Sequence, residues 1–489
     1  MKLRIKILAI MVLGFGLTTS AQNADDALRY SQQFYGGSAR FSAMGGAFTA
    51  LGGDLSSFGL NPAGVAVFRR SEFSFSFRLD NTKTSSIYTS MFDDNRYDYP
   101  ISHAGFVMPI FNSGSESGLI SANFGYSYNQ NNSYNENTGI TGINASSSMA
   151  DYWAESSNGI PAVGLSKAQG MAFDLGLIGT VTALGDENYA SIFSFYDEQP
   201  ATYGQSLRRI ISNRGTAGEH SFSLGSNFNN NLFAGVTLTY ARFSYLGHYE
   251  HLENDPGDNV FDFNSLFYTN HLDASGSGFN AKLGVIYLPV EFIRLGLAVH
   301  SPTMYRVHEY YYENMSASYD NGDDGEFSSG PFRFDYRLKT PWRFLAGAAL
   351  QIEKSATLSF DYEFVDYGSS KLKSATTGDY QYEDENADIQ YMYKGAHNIR
   401  MGGEYRLGGL YLRGGYGIYG KAFSEGEANS DTFQRTISGG LGFRSSSFYV
   451  DLGFSNLNSS ETFFMYWDAD PALIEKNRNS YIITLGFRY

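Results

Sequence analysis

The chain closes on Tyr481-Ile482-Ile483-Thr484-Leu485-Gly486-Phe487-Arg488-Tyr489. Taking every second residue gives Tyr481, Ile483, Leu485, Phe487 and Tyr489, all apolar or aromatic. The residues between are Ile482, Thr484, Gly486 and Arg488, mostly small or polar. Side chains alternate faces along a strand, so one face of this segment is greasy and the other is not. A last strand of this kind, ending on an aromatic, is the pattern of a membrane-spanning β-barrel. A soluble sheet also contains half-buried strands, so the rest of the chain has to decide.

The same alternation recurs back to residue 70. Fourteen segments carry it: 71–80, 101–110, 118–130, 218–228, 231–245, 276–288, 291–301, 331–352, 355–367, 388–407, 410–421, 432–444, 447–459 and 480–489. An even number of strands suits a single-chain barrel. The connections alternate long and short, as with 81–100 then 111–117, and 131–217 then 229–230. Long loops outside and short turns inside place both termini in the periplasm. The expectation is an all-β fold, a 14-stranded antiparallel transmembrane β-barrel over residues 71–489. In 331–352, Phe332, Phe334, Tyr336, Leu338, Trp342 and Phe344 keep one parity, and Arg333, Asp335, Arg337, Lys339 and Arg343 keep the other. An Arg facing lipid at mid-bilayer costs about 2–4 kcal/mol. The charged parity is therefore expected in the lumen, together with Arg78, Arg294, Asp361, Glu363, Arg400, Glu404 and Arg413.

Composition agrees. No apolar run after the N-terminus reaches eighteen residues, so no membrane helix is expected. Mean hydropathy is only -0.28, because barrel strands show lipid just their alternate residues. Aromatics make up 16% of the chain, with Tyr 37 and Phe 39, an excess that suits interfacial girdles. The absence of cysteine excludes a lipoprotein anchor, disulfides and thiolate metal sites. A net charge of -15 argues against nucleic acid as a partner. The eight histidines form no motif with a nucleophile, so no enzyme is expected, and neither metal nor cofactor.

At the N-terminus, Lys2, Arg4 and Lys6 precede an apolar run over 7–17 and the small residues Thr19-Ser20-Ala21. Residues 1–21 read as a secretory signal, consistent with a Gram-negative outer membrane. Residues 22–70 break the strand rhythm. They contain Gly36-Gly-Ser-Ala-Arg-Phe-Ser-Ala-Met-Gly-Gly46 and Asn61-Pro62-Ala63-Gly64. Forty-nine residues of this kind bury no core of their own, whereas a glycine-rich segment packs closely inside a barrel. This segment is expected to be a hatch in the lumen.

These residues resemble the FadL/TodX family of outer-membrane transporters for long-chain fatty acids and other hydrophobic compounds. The resemblance rests on Gly37-Ser38-Ala39-Arg40, Met44-Gly45-Gly46-Ala47 and Asn61-Pro62-Ala63-Gly64, in that order. Ser301-Pro-Thr-Met-Tyr305, Leu338-Lys-Thr-Pro341, Arg400-Met-Gly-Gly-Glu-Tyr405 and Leu412-Arg-Gly-Gly-Tyr416 extend it over nearly the whole mature chain. The style is that of a Bacteroidetes-like branch. The resemblance implies a hydrophobic ligand, capture at outer loops, movement of the hatch and sideways release into outer-membrane lipid. Asn61, Pro62, Ala63 and Gly64, with Gly45 and Gly46, are the expected hatch motif. Gly118 and Gly125 mark the third strand, where the family opens its wall; simple packing against the hatch is the alternative. Arg337, Arg400 and Arg413 are candidates for an anionic head group, with pairing to lumen carboxylates as the alternative. In the long loop, 171–181 reads as a helix that forms a capture groove or packs on its neighbours. A closed barrel leaves no free strand edge, so a monomer is expected. A secretion-associated or adhesive barrel and a general diffusion pore are the rival functions.

Overall fold

The computed structural model describes residues 24–115, 117–143, 145–181, 185–194, 203–353, 355–376, 380–467 and 469–489. The expected secretory segment lies outside them. The wall has fourteen strands. They are β1 (Glu72–Ile87), β2 (Ile101–Asn112), β3 (Leu119–Ser133), β4 (Ser206–Phe228) and β5 (Leu232–Asn254). Next come β6 (Ser265–Val290), β7 (Ile293–His300, resuming at Met304–Ser318), β8 (Phe332–Lys339, resuming at Arg343–Ile352) and β9 (Ala356–Asp366, resuming at Lys371–Ser374). The last five are β10 (Gly395–Leu407), β11 (Leu410–Tyr419), β12 (Gln434–Arg444), β13 (Phe448–Phe463) and β14 (Ala472–Arg488).

Each strand pairs antiparallel with its neighbour in sequence, and β14 closes the ring on β1 with Phe73 opposite Phe487 and Phe77 opposite Ile483. In β1, Ser74, Ser76 and Asp80 are buried on the inside while Phe73 and Phe77 stay exposed, as the alternation requires. Among the described residues no helix is long and apolar enough to cross a membrane. The spanning elements are strands with an apolar outer face.

Three features differ from the sequence reading. Strands β4, β5 and β6 run 23, 23 and 26 residues, against the roughly 9–11 that cross a bilayer. They project past the membrane and replace much of the expected loops. Second, the start of segment 388–407 is helix, not strand. Glu383–Met392 is helical, and its first turn carries Glu383, Asp384 and Glu385, which suit the positive end of a helix dipole.

Third, β7, β8 and β9 are interrupted at one level, at Ser301-Pro302-Thr303, Thr340-Pro341-Trp342 and Tyr367–Ser370. Pro302 and Pro341 have no N–H to give a ladder. The interruption flips the pleat. Below it Arg343 and Leu345 point inward; above it Tyr336 and Leu338 do. The single parity read across 331–352 is therefore broken. Arg333, Asp335 and Arg337 are exposed on the outside, above the exposed rings of Trp342 and Phe344, and are not lumen residues. Lys339 shares that outer face.

Candidate functional site

Residues 24–70 fill the barrel bore. They form helix α1 (Ala24–Ser31), helix α2 (Ala39–Ala43) and short 3-10 helices at Leu55–Gly59 and Pro62–Val67. Asn61 caps the last of these, accepting from Ala63 N, and Pro62 sits at its first turn, where a missing N–H costs nothing. The Asn61 Nδ2 then donates to three carbonyls, those of Thr49 at 2.6 Å, Val285 at 3.1 Å and Leu297 at 3.4 Å. One fully buried side chain thus ties the hatch to itself and to two wall strands. Gly45 and Gly46 turn the chain after α2 with φ of +63° and +72°, a region that only glycine enters freely.

The wall receives the hatch on glycines. A Cβ on Gly284 would lie 1.9 Å from Asn61 Oδ1, and one on Gly415 would lie 2.2 Å from Gly45 N. Gly225, Gly235, Gly296 and Gly402 meet hatch backbone in the same way. Carboxylates complete the seat. Arg40 donates two bonds to Glu404, at 2.9 and 3.0 Å. Thr49 donates its N–H and hydroxyl to Asp361, at 2.8 and 2.7 Å. Tyr35 donates to Glu363 at 3.1 Å, and Gln33 to Glu219 at 3.3 Å. Hatch donors thus meet acidic wall residues at two places on the ring, three acceptors on the paired strands β9 and β10 and one on β4. Buried charges need such pairing.

Above the hatch lies an apolar inner layer. Leu28 and Tyr30 of α1 cluster with Tyr134, just past β3, and with Phe243, Tyr245, Tyr305, Tyr336 and Leu338 of the wall. The charges buried among them are paired, Asp26 with Arg29 and Glu309 with the Tyr336 hydroxyl at 2.6 Å. Tyr30 stacks on Phe243 with ring centroids 4.1 Å apart. A cavity of about 80 Å³ beside the hatch is lined by Phe34, Tyr35, Tyr419 and Leu457 and by Arg78 and Arg478.

The long loop folds into a dome. Helix α3 (Met149–Ser157) and helix α4 (Lys167–Asp174) each start with a capping box, Ser148 with Asp151 and Ser166 with Gln169. Trp153 and Met149 pack with Leu207, Leu266, Tyr268, Met315 and Ile474, which come from β4, β6, β7 and β14. Residues from separate parts of the ring meet there, so the dome spans the mouth. Fully buried Glu253 of β5 anchors it, accepting from Ser148 Oγ at 2.7 Å and Met149 N at 2.8 Å. The stretch read as one helix over 171–181 is the end of α4 followed by a short strand, Ile178–Thr180, paired with Tyr189–Ser191.

The other expected site residues fall as follows. Ala63 and Gly64 are buried in the hatch, and a Cβ on Gly64 would lie 2.7 Å from Ser57 Oγ. Gly125 faces the ring of hatch residue Phe58, and Gly118 lies in an open turn. Strand β3 keeps its ladder with β2 and β4 through its middle, with register shifts near its two ends. Arg400 is buried and bonded to Glu363 at 2.7 Å, and its guanidinium lies over the Tyr35 ring. Arg413 bridges Glu404 at 2.6 Å and Asp451 at 2.7 Å. Arg337, exposed outside, donates to Ala375 O. The three arginines do not share a site. The glycine seat escaped sequence reasoning, and of the dome only the helix at 171–181 was read, in part correctly. The seat did leave a signal, glycine at the inward parity of strand after strand.

No protein-family model matches the sequence, and a search of curated proteins finds no match. Solved structures do match. The toluene transporter TodX of P. putida aligns over 93% of this chain and 99% of its own, with a TM-score of 0.53 at 13% identity. A Pseudomonas aeruginosa FadL homologue gives a TM-score of 0.54 at 13% identity, with the same coverage. The Ralstonia pickettii toluene transporter TbuX gives 0.51 at 15% identity, again over 93% and 99%. At these identities the likeness concerns the fold: the chain has the architecture of a FadL/TodX-type barrel, a 14-stranded wall closed around an N-terminal hatch.

Proposed function

We propose that this protein is an outer-membrane uptake channel for hydrophobic small molecules, long-chain fatty acids or hydrocarbons among them. One observation carries the reading: the bore is filled by a seated hatch and covered by a dome, with an apolar, tyrosine-rich layer between them. A diffusion pore needs an open aqueous bore. A carrier of greasy molecules needs an apolar lining, where each buried methylene contributes about 0.8 kcal/mol. The structural neighbours named as toluene transporters support the same reading. The barrel acts as a monomer, because ring closure leaves no strand edge to pair.

In this mechanism the ligand enters beneath the dome, the hatch shifts, and the ligand leaves sideways into lipid. The interrupted level of β7–β9 is the opening we favour over β3. There the β8–β9 ladder skips from Arg343 opposite Val365 to Lys339 opposite Lys371. Apolar residues Leu338, Val365 and Tyr367 line it within, and Trp342 and Phe344 line it without. The chain has no cysteine, so Lys339→Cys with Lys371→Cys gives a clean staple across this point. Entry of the apolar dye N-phenylnaphthylamine into cells should fall at least fivefold on oxidation and recover on reduction. A staple at Met108 and Phe124, opposed across β2 and β3, should change nothing. The reverse pattern would move the opening to β3.

Native mass spectrometry of the protein in mild detergent tests the reading itself. A bound fatty acid, alkyl or aromatic compound at fixed stoichiometry is expected. A ligand-free barrel that conducts ions steadily in a planar bilayer would overturn it.

A further inference from the structure

The outer wall carries a row of cations at the membrane boundary. Along one rung of the sheet, Arg242 of β5, Ser277 of β6, Arg306 of β7, Arg337 of β8 and Lys373 of β9 stand side by side as ladder partners. One rung lower, Lys339 stands opposite Lys371. Arg242, Arg306, Arg337, Lys371 and Lys373 are exposed on the outer face. Like charges directly opposite one another destabilise a sheet, so the three cation pairs opposed here, Arg306 with Arg337, Arg337 with Lys373 and Lys339 with Lys371, are a cost that folding does not require. The whole chain carries a net charge of -15, which makes a basic strip the exception on its surface.

The position of the strip fixes what it meets. The rung of Lys339 continues through Met304 and Phe279 to Tyr240, and Phe279 and Met304 are 68% and 48% exposed. Trp342 and Phe344 follow below on β8. This is the upper edge of the apolar band, so the strip lies at head-group height on the end that bears the dome. Of the exposed carboxylates on this face, Asp335 is engaged by His308 Nδ1 at 2.7 Å, whereas Asp273 and Asp366 form no ion pair with these cations among the described residues. Apart from the bond from Arg337 to Ala375 O, the cations of the strip make no ion pair among the described residues.

We infer that this strip is a binding site for the phosphates of an outer-leaflet lipid, a phosphorylated glycolipid held against β7–β9 by Arg306, Arg337 and Lys373. Guanidinium groups bind phosphate oxygens in pairs, and lysines add point charge. Clusters of Lys and Arg at a membrane surface attract anionic lipid. The pleat flip at Thr340-Pro341-Trp342 is what places Arg337 here: without it, this arginine would face the lumen. The inference does not depend on what the barrel carries.

The test is a titration of the full-length barrel in mild detergent with lipopolysaccharide, read by native mass spectrometry. It uses the parent chain, the triple variant Arg306→Ala/Arg337→Ala/Lys373→Ala, and the charge-preserving variant Arg306→Lys/Arg337→Lys. Heat-modifiable gel mobility establishes that each barrel is folded. The parent should retain one glycolipid and the triple variant should bind at least tenfold more weakly. The lysine variant should keep most of the affinity, and enzymatically dephosphorylated lipopolysaccharide should not be retained by the parent. Equal retention by parent and triple variant would overturn the site. Equal retention of the dephosphorylated lipid would overturn phosphate recognition. Displacement by millimolar inorganic phosphate would show a site for the free anion and overturn the lipid assignment.

Discussion

Asn61 shows how one residue holds the hatch. Its amide is buried, and its Nδ2 reaches carbonyls of the hatch and of β6 and β7. Asn61→Ala leaves those groups unpaired at about 1–3 kcal/mol each, so the hatch should loosen while the wall stays folded. Hydrogen exchange of residues 47–67 should rise against an unchanged wall. Gly284→Ala should act from the other side, because its Cβ would occupy the place of Asn61 Oδ1. Pro62→Ala removes the preset turn, and in the proposed function it should lower uptake of an apolar probe in normally assembled barrels. Unchanged uptake would reduce the motif to an anchor. The arginines separate in the same way. Arg400→Met removes one of the two guanidinium partners of buried Glu363, which keeps Arg343 at 2.7 Å, and should destabilise the barrel by about 1–3 kcal/mol, seen as a lower denaturation midpoint. Arg337→Ala touches only an exposed side chain and should stay within about 0.5 kcal/mol. The motif Asn61-Pro62-Ala63-Gly64 was legible because its residue types declare a cap and a turn. The glycines that receive it recur at the inward parity of strand after strand, but a strand pattern alone does not say which distant segment each one meets.

At the scale of elements, alternation located every wall strand, and the reason is physical: a lipid face on one side and a polar, hatch-filled bore on the other impose period two throughout. It failed where that contrast ends. Beyond the membrane both faces of β4–β6 meet water or the dome, so the strands continue where the pattern fades. It failed again at Pro302 and Pro341, where a local interruption shifts parity and sends Arg337 outside. A pattern read across such a point inherits the wrong face. The dome was legible only as a long polar stretch with one apolar helix near 171–181, because its core comes from residues scattered over α3, α4 and four strands. Trp153, 2% exposed, is central to it. Trp153→Ala should cost about 3–5 kcal/mol of dome packing. Protease added to intact cells should then cut within residues 143–205 at a rate at least tenfold above the parent. An unchanged rate would mean that the other dome contacts suffice.

At the scale of the molecule, the hatch fills the bore, the dome covers the mouth, and the wall is interrupted at one level facing lipid. These features suit a protein that moves apolar molecules and holds back water-soluble ones. The measurement that bears on this most directly compares two solutes in one strain with intact lipopolysaccharide, with and without the protein. One is the apolar dye N-phenylnaphthylamine and the other a small hydrophilic β-lactam read by periplasmic hydrolysis. The account predicts that the protein speeds dye entry severalfold and leaves β-lactam entry unchanged. Faster β-lactam entry with no gain for the dye would contradict it and make the barrel an aqueous pore.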